Sequence, residues 1–467
     1  MCGIYGMAGN DNVAHQISLG LYDLQHRGEQ AAGIATFDGE QIHIHKDGGL
    51  VTKVFEDEET LRNLPGRFGI GHVLYSTVGK SGETKQTRTF QPLIGDFHGR
   101  PFALAHNGNL INLDPLRVEA EARGYKFQSK VSDTEVMVAL IATSPEIDFT
   151  EALLKILPKL DGAFSLAILY GDKIFGIRDR HGIRPLCICQ LGNHFIIASE
   201  ECAGHSLGAK FVRECRPGEM VILGTDGIER SFLWLDSASL RLCIVELIYF
   251  ARPDSTIGGR RVYLYRENAG YEVAIEHPVV GAQLVSSVPE SGAIYNYGVS
   301  KALGVDVRRA ISRNRYFAPR TFILPRDTDK KALQSAKFFI LVELVHGRVI
   351  IITEDSIIRC NVGPAVVMML RSAGAAEVHM RVGSSPICYP CFLGIDIPTQ
   401  IELIAAKRTV QEIEKDELHV DSLGYLSLEG MIRATGLPKE NLCLGCFTGE
   451  YPIAPPKDLV LKKPPSV

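Results

Sequence analysis

The first candidate for chemistry in this chain is Cys2, which a glycine follows directly. If Met1 is removed, Cys2 carries a free α-amino group beside its own thiol. An α-amino group with a pKa of about 7.7–8.0 can accept the proton of a thiol whose ordinary pKa is about 8.5. The position predicts a nucleophile with its own general base, although a cysteine at position 2 is by itself also compatible with no catalytic role.

A second candidate is a set of closely spaced cysteines in the last third of the chain. Cys388 and Cys391 form one C-x-x-C pair, Cys443 and Cys446 form another, and Cys243 stands alone between aliphatic residues. Two such pairs indicate a thiolate metal centre, either zinc or iron–sulfur. Spacing alone favours Cys388 over Cys243 as the fourth ligand, and the alternative is that these cysteines are buried small hydrophobic residues.

A third candidate is an acidic loop that lies between a predicted strand and a predicted helix. Val349–Thr353 is a β-branched run typical of a parallel strand buried on both faces. Glu354-Asp355-Ser356-Ile357-Ile358-Arg359 follows, a helix is predicted from Gly363-Pro364 to about Gly374, and Glu377–Val382 is predicted as the next strand. Ligands of parallel sheets bind at the carboxyl ends of strands, so this loop is a predicted ligand site, the alternative being solvated loop carboxylates.

The N-terminal half has a different pattern of short β-like runs separated by turn signals such as Asn107-Gly108. Ser132-Asp133-Thr134-Glu135 is a capping box that predicts a helix over the following apolar run. After residue 453 the proline-rich, basic tail 454–467 is predicted to be disordered.

Composition excludes several classes of protein. The 467 residues carry 50 basic and 54 acidic side chains, a formal charge of −4, which predicts no broad nucleic-acid footprint. No apolar run reaches the roughly 18 residues of a membrane span, and the start has no signal-peptide pattern. Eleven cysteines are an odd number, and in such a chain they argue against a disulfide framework and for a cytoplasmic protein.

Five motifs of the N-terminal half resemble, in order, the glutamine amidotransferase domains of the N-terminal-nucleophile class. They are Cys2-Gly3-Ile4, Leu24–Gly28, Gly69–His72, Ala105–Leu110 and Ser132–Glu135. Such domains cleave the glutamine amide through a cysteine thioester. The resemblance implies that Asn107 and the amide of Gly108 hold the oxyanion, that Asp133 binds the substrate α-amino group, and that Arg27 orients Cys2.

The second half extends the resemblance to the amidophosphoribosyltransferase family, in its iron–sulfur-containing branch, over residues 2–453. The matching motifs are Cys243–Glu246, Ile248–Ser255, Val288–Ser291, Asn314–Tyr316, Arg320–Ile323, Asp355–Arg359, Tyr389–Asp396 and Cys446–Pro452. The family transfers ammonia from glutamine to phosphoribosyl pyrophosphate, giving 5-phosphoribosylamine, glutamate and diphosphate in the first step of de novo purine synthesis.

The resemblance also implies a fold and a domain organisation. It is an α+β N-terminal-nucleophile glutaminase domain of four αββα layers (2–235) followed by an α/β phosphoribosyltransferase-like domain with a parallel sheet (236–453). Expected partners are purine nucleotides as feedback inhibitors and further copies of the chain in a tetramer, with no nucleic acid and no membrane.

The resemblance also implies which residues bind the metal centre, the cation and the phosphate. The cluster cysteines would be Cys243, Cys391, Cys443 and Cys446, holding a 4Fe–4S centre. Ser291, Glu354 and Asp355 would hold Mg²⁺ or ribose hydroxyls. The residues after Asp355, namely Ser356, Ile357, Ile358 and Arg359, would bind the 5′-phosphate through backbone amides that lead into a helix.

Two departures from the family pattern motivate an alternative function. Leu74 stands where the family has an arginine for the glutamine carboxylate, a role that Arg27, Lys80 or Arg88 would have to take over. Cys360-Asn361-Val362 replaces the glycine-containing end of the phosphate loop, and the segment from Pro325 to Gly347 is short and lacks the usual arginines. The alternative is a non-catalytic homologue with a binding or regulatory role. A sugar-phosphate amidotransferase sharing only the glutaminase half is disfavoured by the acceptor-half motifs.

Overall fold

The computed structural model describes residues 2–9, 12–75, 89–127, 131–235, 237–314, 337–397, 399–456 and 459–465. Within these ranges no helix is both long enough and apolar enough to cross a membrane.

The first half of the chain is built on two antiparallel sheets. A seven-stranded sheet has the order β11-β9-β10-β1-β4-β2-β3, and a six-stranded sheet has the order β13-β12-β8-β7-β6-β5. The strands are β1 (Gly3–Ala8), β2 (Ala31–Phe37), β3 (Ile42–Gly48), β4 (Phe68–Leu74), β5 (Leu93–Phe97), β6 (Arg100–Leu110), β7 (Gly162–Tyr170), β8 (Lys173–Arg178), β9 (Cys187–Leu191), β10 (His194–Ala198), β11 (Lys210–Glu214), β12 (Glu219–Gly224) and β13 (Gly227–Leu233).

Helices cover the outer face of each sheet, so this half has four layers. They are α1 (Ala14–Asp23), α2 (Val51–Val54), α3 (Glu58–Arg62), α4 (Leu113–Ala122), α5 (Asp133–Ala142) and α6 (Phe149–Ile156). Ile17 and Leu21 of α1 pack on the seven-stranded sheet, while α4, α5 and α6 pack on the six-stranded sheet. The predicted cap is present, since Ser132 Oγ accepts a hydrogen bond from Glu135 N at 3.1 Å.

The second half contains a four-stranded sheet whose neighbouring strands all pair in parallel. Its order is β17 (Leu284–Ser287), β20 (Val349–Glu354), β21 (Glu377–Val382) and β22 (Ser422–Tyr425). The other strands are β14 (Leu242–Cys243), β15 (Thr256–Ile257), β16 (Arg260–Arg261), β18 (Ile311–Arg313), β19 (Phe338–Ile340) and β23 (Leu442–Cys443). The predicted strands over 349–353 and 377–382 are both confirmed.

Strand β20 is buried on both faces, as its sequence predicts. The helices of this half are α7 (Val262–Glu276), α8 (Tyr295–Leu303), α9 (Val342–Val345), α10 (Gly363–Ser372), α11 (Val410–Glu412), α12 (Leu428–Thr435) and α13 (Gly445–Thr448). Ile351 packs in a core with α7 and α8, whereas Ile350 and Ile352 pack on the opposite face with α10. The acidic loop therefore leaves the sheet at the carboxyl end of a fixed central strand.

Short 3₁₀- and π-helical segments connect many of these elements. They are Gln25–Arg27, Leu157–Lys159, Glu201–Leu207, Glu246–Phe250, Ser291–Ala293, Gln400–Glu402, Ile404–Ala406, Ile413–Leu418 and Lys439–Asn441. In the tail, Lys462 N donates to Gln400 Oε1 at 2.9 Å and Gln400 Nε2 donates to Lys462 O at 2.7 Å. Disorder of the tail stays a prediction.

Candidate active sites and metal centre

The first candidate site surrounds Cys2, next to the first residue of β1. Cys2 N donates to Asn107 Oδ1 at 3.1 Å, so the strand that carries Asn107 lies beside the cysteine. Asn107 Nδ2 is buried and has no hydrogen-bond partner among the described residues. Gly108 has φ +154°, and a Cβ there would lie 1.9 Å from Ala163 O, so only glycine fits. Asn107 therefore lies beside the backbone of Cys2, and the glycine that follows Asn107 has a backbone conformation that only glycine fits.

Arg27 is buried and ties Cys2 to the second half of the chain. Its Nε donates to Cys2 O at 3.0 Å, and its terminal nitrogens donate to Glu246 at 3.0 and 3.1 Å and to Glu200. Burial by itself lowers the pKa of Arg27, but the carboxylates of Glu246 and Glu200 raise it above its ordinary value. Arg27 is therefore a charged anchor for the Cys2 backbone.

Asp133, the first residue of α5, lies beside the same strand. Its Oδ2 accepts from Leu110 N at 3.3 Å and lies 3.5 Å from His106 Nδ1. Burial by itself raises the pKa of Asp133, but His106 and the backbone donors lower it below its usual value. An ionised carboxylate in this position suits a substrate ammonium group.

Leu74 is the last residue of β4 and brings no charge to the site. Arg27, one of the three candidates to replace the missing arginine, is fully engaged with Cys2, Glu200 and Glu246. Lys80 and Arg88 lie outside the described residues. The partner of a glutamine carboxylate therefore stays unassigned within the described part of the chain.

The second candidate site is a cavity of about 440 Å³ at the carboxyl end of β20. Every residue that the sequence assigned to the acceptor site lines it: Ser291, Glu354, Asp355, Ser356, Ile357, Ile358 and Arg359. Its volume suits a small-molecule ligand. Residues 315–336, which include most of two predicted motifs, lie outside the described residues.

Two adjacent carboxylates and a hydroxyl meet at one wall of this cavity. Ser291 Oγ donates to Glu354 Oε1 at 3.3 Å. Burial, and then the neighbouring charge of Asp355, raise the pKa of Glu354 well above its usual value. Two carboxylates that oppose each other's ionisation, beside a hydroxyl, form a donor set that suits a hard divalent cation.

The phosphate loop leaves Asp355 and enters α10 at Gly363. Arg359 forms a salt bridge with Glu402, whose Oε2 accepts from Arg359 Nε at 2.7 Å. Cys360 has φ +54°, a left-handed conformation that favours glycine. The departure from the family pattern therefore places a side chain at a position where the backbone disfavours one, on the wall of the cavity.

Four of the eleven cysteines meet in the core of the second half. β14 and β23 pair in parallel with Cys243 opposite Cys443, and Cys446 follows in α13. Burial, and then the nearby thiols of Cys243, Cys391 and Cys443, raise the pKa of Cys446 well above its ordinary value. The sulfur of Cys388 points elsewhere, to the carbonyls of Pro386 and Ala405 at 3.5 Å each.

The four sulfurs are spread more widely than a zinc site requires. Among the described residues, no three of them lie within 4.8 Å of one another. Four sulfurs at 2.3 Å from one tetrahedral zinc ion would be about 3.8 Å apart. Within the described part of the chain, the four sulfurs are therefore spaced more widely than the ligands of a single tetrahedral zinc ion.

Three of the residues that connect these sites were not found from the sequence. Tyr75 lines the acceptor cavity, and its carbonyl lies 3.9 Å from Cys2 Sγ. Glu246 belongs to a recognised motif, but nothing in its spacing reveals that it pairs with Arg27 and lies 3.5 Å from Arg184. Glu200, the other partner of Arg27, gives no sequence signal at all.

These features define a class of protein: a two-domain glutamine amidotransferase with an N-terminal nucleophile and a phosphoribosyltransferase-type second domain. The family model described as "Glutamine amidotransferase domain" matches residues 83–203. The chain is 37% identical to a solved glutamine phosphoribosylpyrophosphate amidotransferase from B. subtilis complexed with ADP and GMP, with a TM-score of 0.89 over 98% of this chain and 99% of that one.

Relatives of similar length narrow the class to one family. Amidophosphoribosyltransferase of Methanocaldococcus jannaschii is 41% identical over 97% of this chain and 98% of its own length. The enzyme of that name from Synechococcus elongatus is 40% identical over 99% and 93%. The chain belongs to the amidophosphoribosyltransferase family. The predicted family and fold class are confirmed, and the non-catalytic alternative is not favoured.

Proposed function

We propose that this chain transfers ammonia from glutamine to phosphoribosyl pyrophosphate, with the two half-reactions divided between the Cys2 site and the cavity at β20. The domain limits that we propose are 2–235 and 236–453. The observation that carries the proposal is that Tyr75 contacts both sites. Its carbonyl oxygen lies 3.9 Å from Cys2 Sγ, and the same residue lines the acceptor cavity.

In the donor site, Cys2 Sγ attacks the amide carbon of glutamine, and a thioester forms as ammonia leaves. The α-amino group of Cys2 takes the thiol proton once Met1 is removed. Asn107 Nδ2 and the amide of Gly108 hold the oxyanion, Asp133 binds the α-ammonium group, and water then releases glutamate. The buried Asn107 Nδ2, without a partner among the described residues, supports this assignment.

In the acceptor site, ammonia replaces diphosphate at C1 of the ribose. Asp355 would bind ribose hydroxyls, and the amides of residues 356–359 would bind the 5′-phosphate. Mg²⁺, held by Ser291, Glu354 and Asp355, would offset the charge of the leaving diphosphate. The raised pKa of Glu354, caused first by burial and then by Asp355, supports a cation at this wall.

The cysteine centre has a structural role in the proposal. Cys243, Cys391, Cys443 and Cys446 would hold a 4Fe–4S cluster, which would tie the start of the second domain to its end. The buried thiols of Cys243, Cys443 and Cys446 and the half-buried thiol of Cys391, more widely spaced than the ligands of one zinc ion, support this assignment. Thiolates need a reducing compartment, so we propose a cytoplasmic location.

Assembly and regulation complete the proposal. Leu264, Tyr271 and Ile275 form an exposed apolar stripe on α7, with exposed Tyr297 on the neighbouring α8. Such a stripe supports contact with further copies of the chain, and we propose a tetramer. Because the B. subtilis structure contains ADP and GMP, we propose purine nucleotides as inhibitors here.

The test is glutamate release from glutamine by anaerobically purified protein, with and without Mg²⁺ and phosphoribosyl pyrophosphate. We expect release that rises strongly with the acceptor, together with diphosphate formation. Release no higher than that of Cys2→Ala under either condition would contradict the proposal. The same preparation should be brown and absorb near 400 nm, whereas a colourless zinc protein would contradict the cluster.

A further inference from the structure

One short segment of the second half touches the cysteine centre, the oxyanion strand and the acceptor cavity. We call residues 391–397 the coupling segment. It begins at Cys391, and Cys391 N donates to Ile397 O at 2.8 Å, which closes the segment into a compact loop. This hydrogen bond joins the two ends of the coupling segment, so a displacement at one end is felt at the other.

The middle of the coupling segment rests directly on the oxyanion strand. Asn109 Nδ2 donates to Phe392 O at 2.9 Å, across 283 residues of sequence. Gly394 has φ +102°, and a Cβ there would lie 3.2 Å from Gly108 Cα. Both contacts are made to the two residues that follow Asn107, and one of these supplies the proposed oxyanion amide.

The far end of the coupling segment faces the acceptor. Ile395, Asp396 and Ile397 all line the cavity of about 440 Å³ in which phosphoribosyl pyrophosphate is proposed to bind. A short path within the described residues therefore runs from that cavity to Gly108 through four residues of one loop, from Ile397 to Gly394, and then across to the strand.

We propose that the coupling segment transmits occupancy of the acceptor cavity to the oxyanion amide of Gly108, with Asn109 as the positioning residue that holds the two together. Acceptor bound against Ile395, Asp396 and Ile397 fixes the segment, and the Asn109–Phe392 bond and the Gly394–Gly108 contact then fix the amide. The inference rests on the proposed function, because it takes Gly108 N–H as the oxyanion donor. Preorganised donors act mainly on the transition state, so the effect is on kcat and not on KM.

The experiment compares two variants with two matched controls in the holoenzyme. Asn109→Asp removes the donor to Phe392 O and keeps the shape of the side chain, whereas Gly394→Ala introduces a methyl group against Gly108. Asn112→Asp is the control for the first, since Asn112 Nδ2 also donates to a carbonyl, Lys159 O at 2.8 Å, away from the interface. Gly39→Ala is the control for the second, because Gly39 has φ +112° with nothing within 4 Å of its Cβ.

Glutamate release is measured at saturating glutamine with and without Mg²⁺ and phosphoribosyl pyrophosphate, and thermal unfolding is measured for each protein. We expect the ratio of stimulated to basal kcat to fall about tenfold in Asn109→Asp, the effect of one hydrogen bond, with the KM for glutamine unchanged. Gly394→Ala lowers the same ratio, and both controls keep the wild-type ratio.

Hydrogen exchange of peptides covering 105–110 and 391–397 is the second readout. In the wild type, the acceptor slows exchange in both peptides; in Asn109→Asp it slows exchange only in 391–397. A wild-type ratio in Asn109→Asp, or acceptor-dependent protection of 105–110 in that variant, overturns the inference. Failure of the proposed function is a different result, namely a wild type that releases no glutamate under either condition.

Discussion

The donor site and the acceptor site are held together in opposite ways. Around Cys2, buried charges are paired: Arg27 is matched by Glu200 and Glu246, and each group has several hydrogen bonds. Around the acceptor cavity, Glu354 faces the like charge of Asp355, and Cys360 has a left-handed backbone. The charges of the donor site are therefore balanced within the protein, whereas the acceptor site keeps two opposed carboxylates whose charge the proposed cation would balance.

The strongest test of this separation removes the nucleophile. Cys2→Ala lowers glutamine-dependent product formation by at least about 10³-fold, because the thioester no longer forms. Product formation from phosphoribosyl pyrophosphate and added ammonium salt persists, because the acceptor cavity does not use Cys2. Parallel assays with glutamine and with ammonium check this. Loss of both activities would break the comparison, since it would mean that the sites do not work apart.

The next largest effect concerns stability and has opposite signs at the two sites. Glu200→Gln lowers the free energy of unfolding by about 3–5 kcal/mol, because Arg27 loses a buried partner. Glu354→Gln raises it by about 1 kcal/mol, because the like-charge opposition with Asp355 is relieved. Chemical unfolding of the metal-free variants and the wild type measures both, and destabilisation by Glu354→Gln would contradict the comparison.

A smaller effect is the pH dependence of these two changes in the free energy of unfolding, caused by Glu200→Gln and by Glu354→Gln. Burial by itself raises the pKa of Glu200, but His26 and Arg27 lower it far below its usual range. Its stabilising contribution is therefore complete above an unfolded pKa of about 4.3 and is lost as pH falls further. The raised pKa of Glu354 has the reverse consequence, because the folded state keeps a proton that the unfolded state loses. The contribution of Glu354 to the free energy of unfolding therefore becomes more unfavourable as pH rises from about 4.3.

Measuring the free energy of unfolding of the wild type and both variants between pH 3.5 and pH 8 checks these pH dependences. Relative to the wild type, the changes in Glu200→Gln and Glu354→Gln should be opposite in sign near neutral pH, and both should become smaller toward pH 3.5. Differences of equal sign at neutral pH would contradict the assignment of charge at one of the two sites.

The smallest expected effect is at Cys360. A left-handed residue with a Cβ costs about 1–2 kcal/mol, of which the extra chain entropy of glycine offsets about 0.5–1 kcal/mol. Cys360→Gly should therefore raise the free energy of unfolding by about 0.5–1 kcal/mol and lower the KM for phosphoribosyl pyrophosphate about two- to fivefold. His419→Gly is the matched control, since exposed His419 has φ +55° outside the cavity. An equal change of this KM in both variants would contradict a specific effect of Cys360 on the acceptor site.

Local patterns in the sequence predicted much of this molecule. The cap at Ser132, the buried strand before Glu354 and the helix after Gly363 depend on neighbours in the chain, and the structure confirms them. Contacts between residues that are far apart in the chain could not be predicted from such local patterns. Arg27 and Glu246 are 219 residues apart. Local spacing favoured Cys388 over Cys243, whereas the pairing of β14 with β23 places Cys243 opposite Cys443.

The pair of Arg27 and Glu246 has a consequence for how the two catalytic halves can be exchanged between proteins. Both side chains are fully buried, and each comes from a different half of the chain. A glutaminase half produced alone, or fused to an unrelated acceptor domain, would retain Arg27 without its bidentate partner, and the foreign domain would have to supply a carboxylate at the same place. The halves are distinct in chemistry but are not interchangeable modules, so a working chimera has to carry the Glu246 turn along with the glutaminase half.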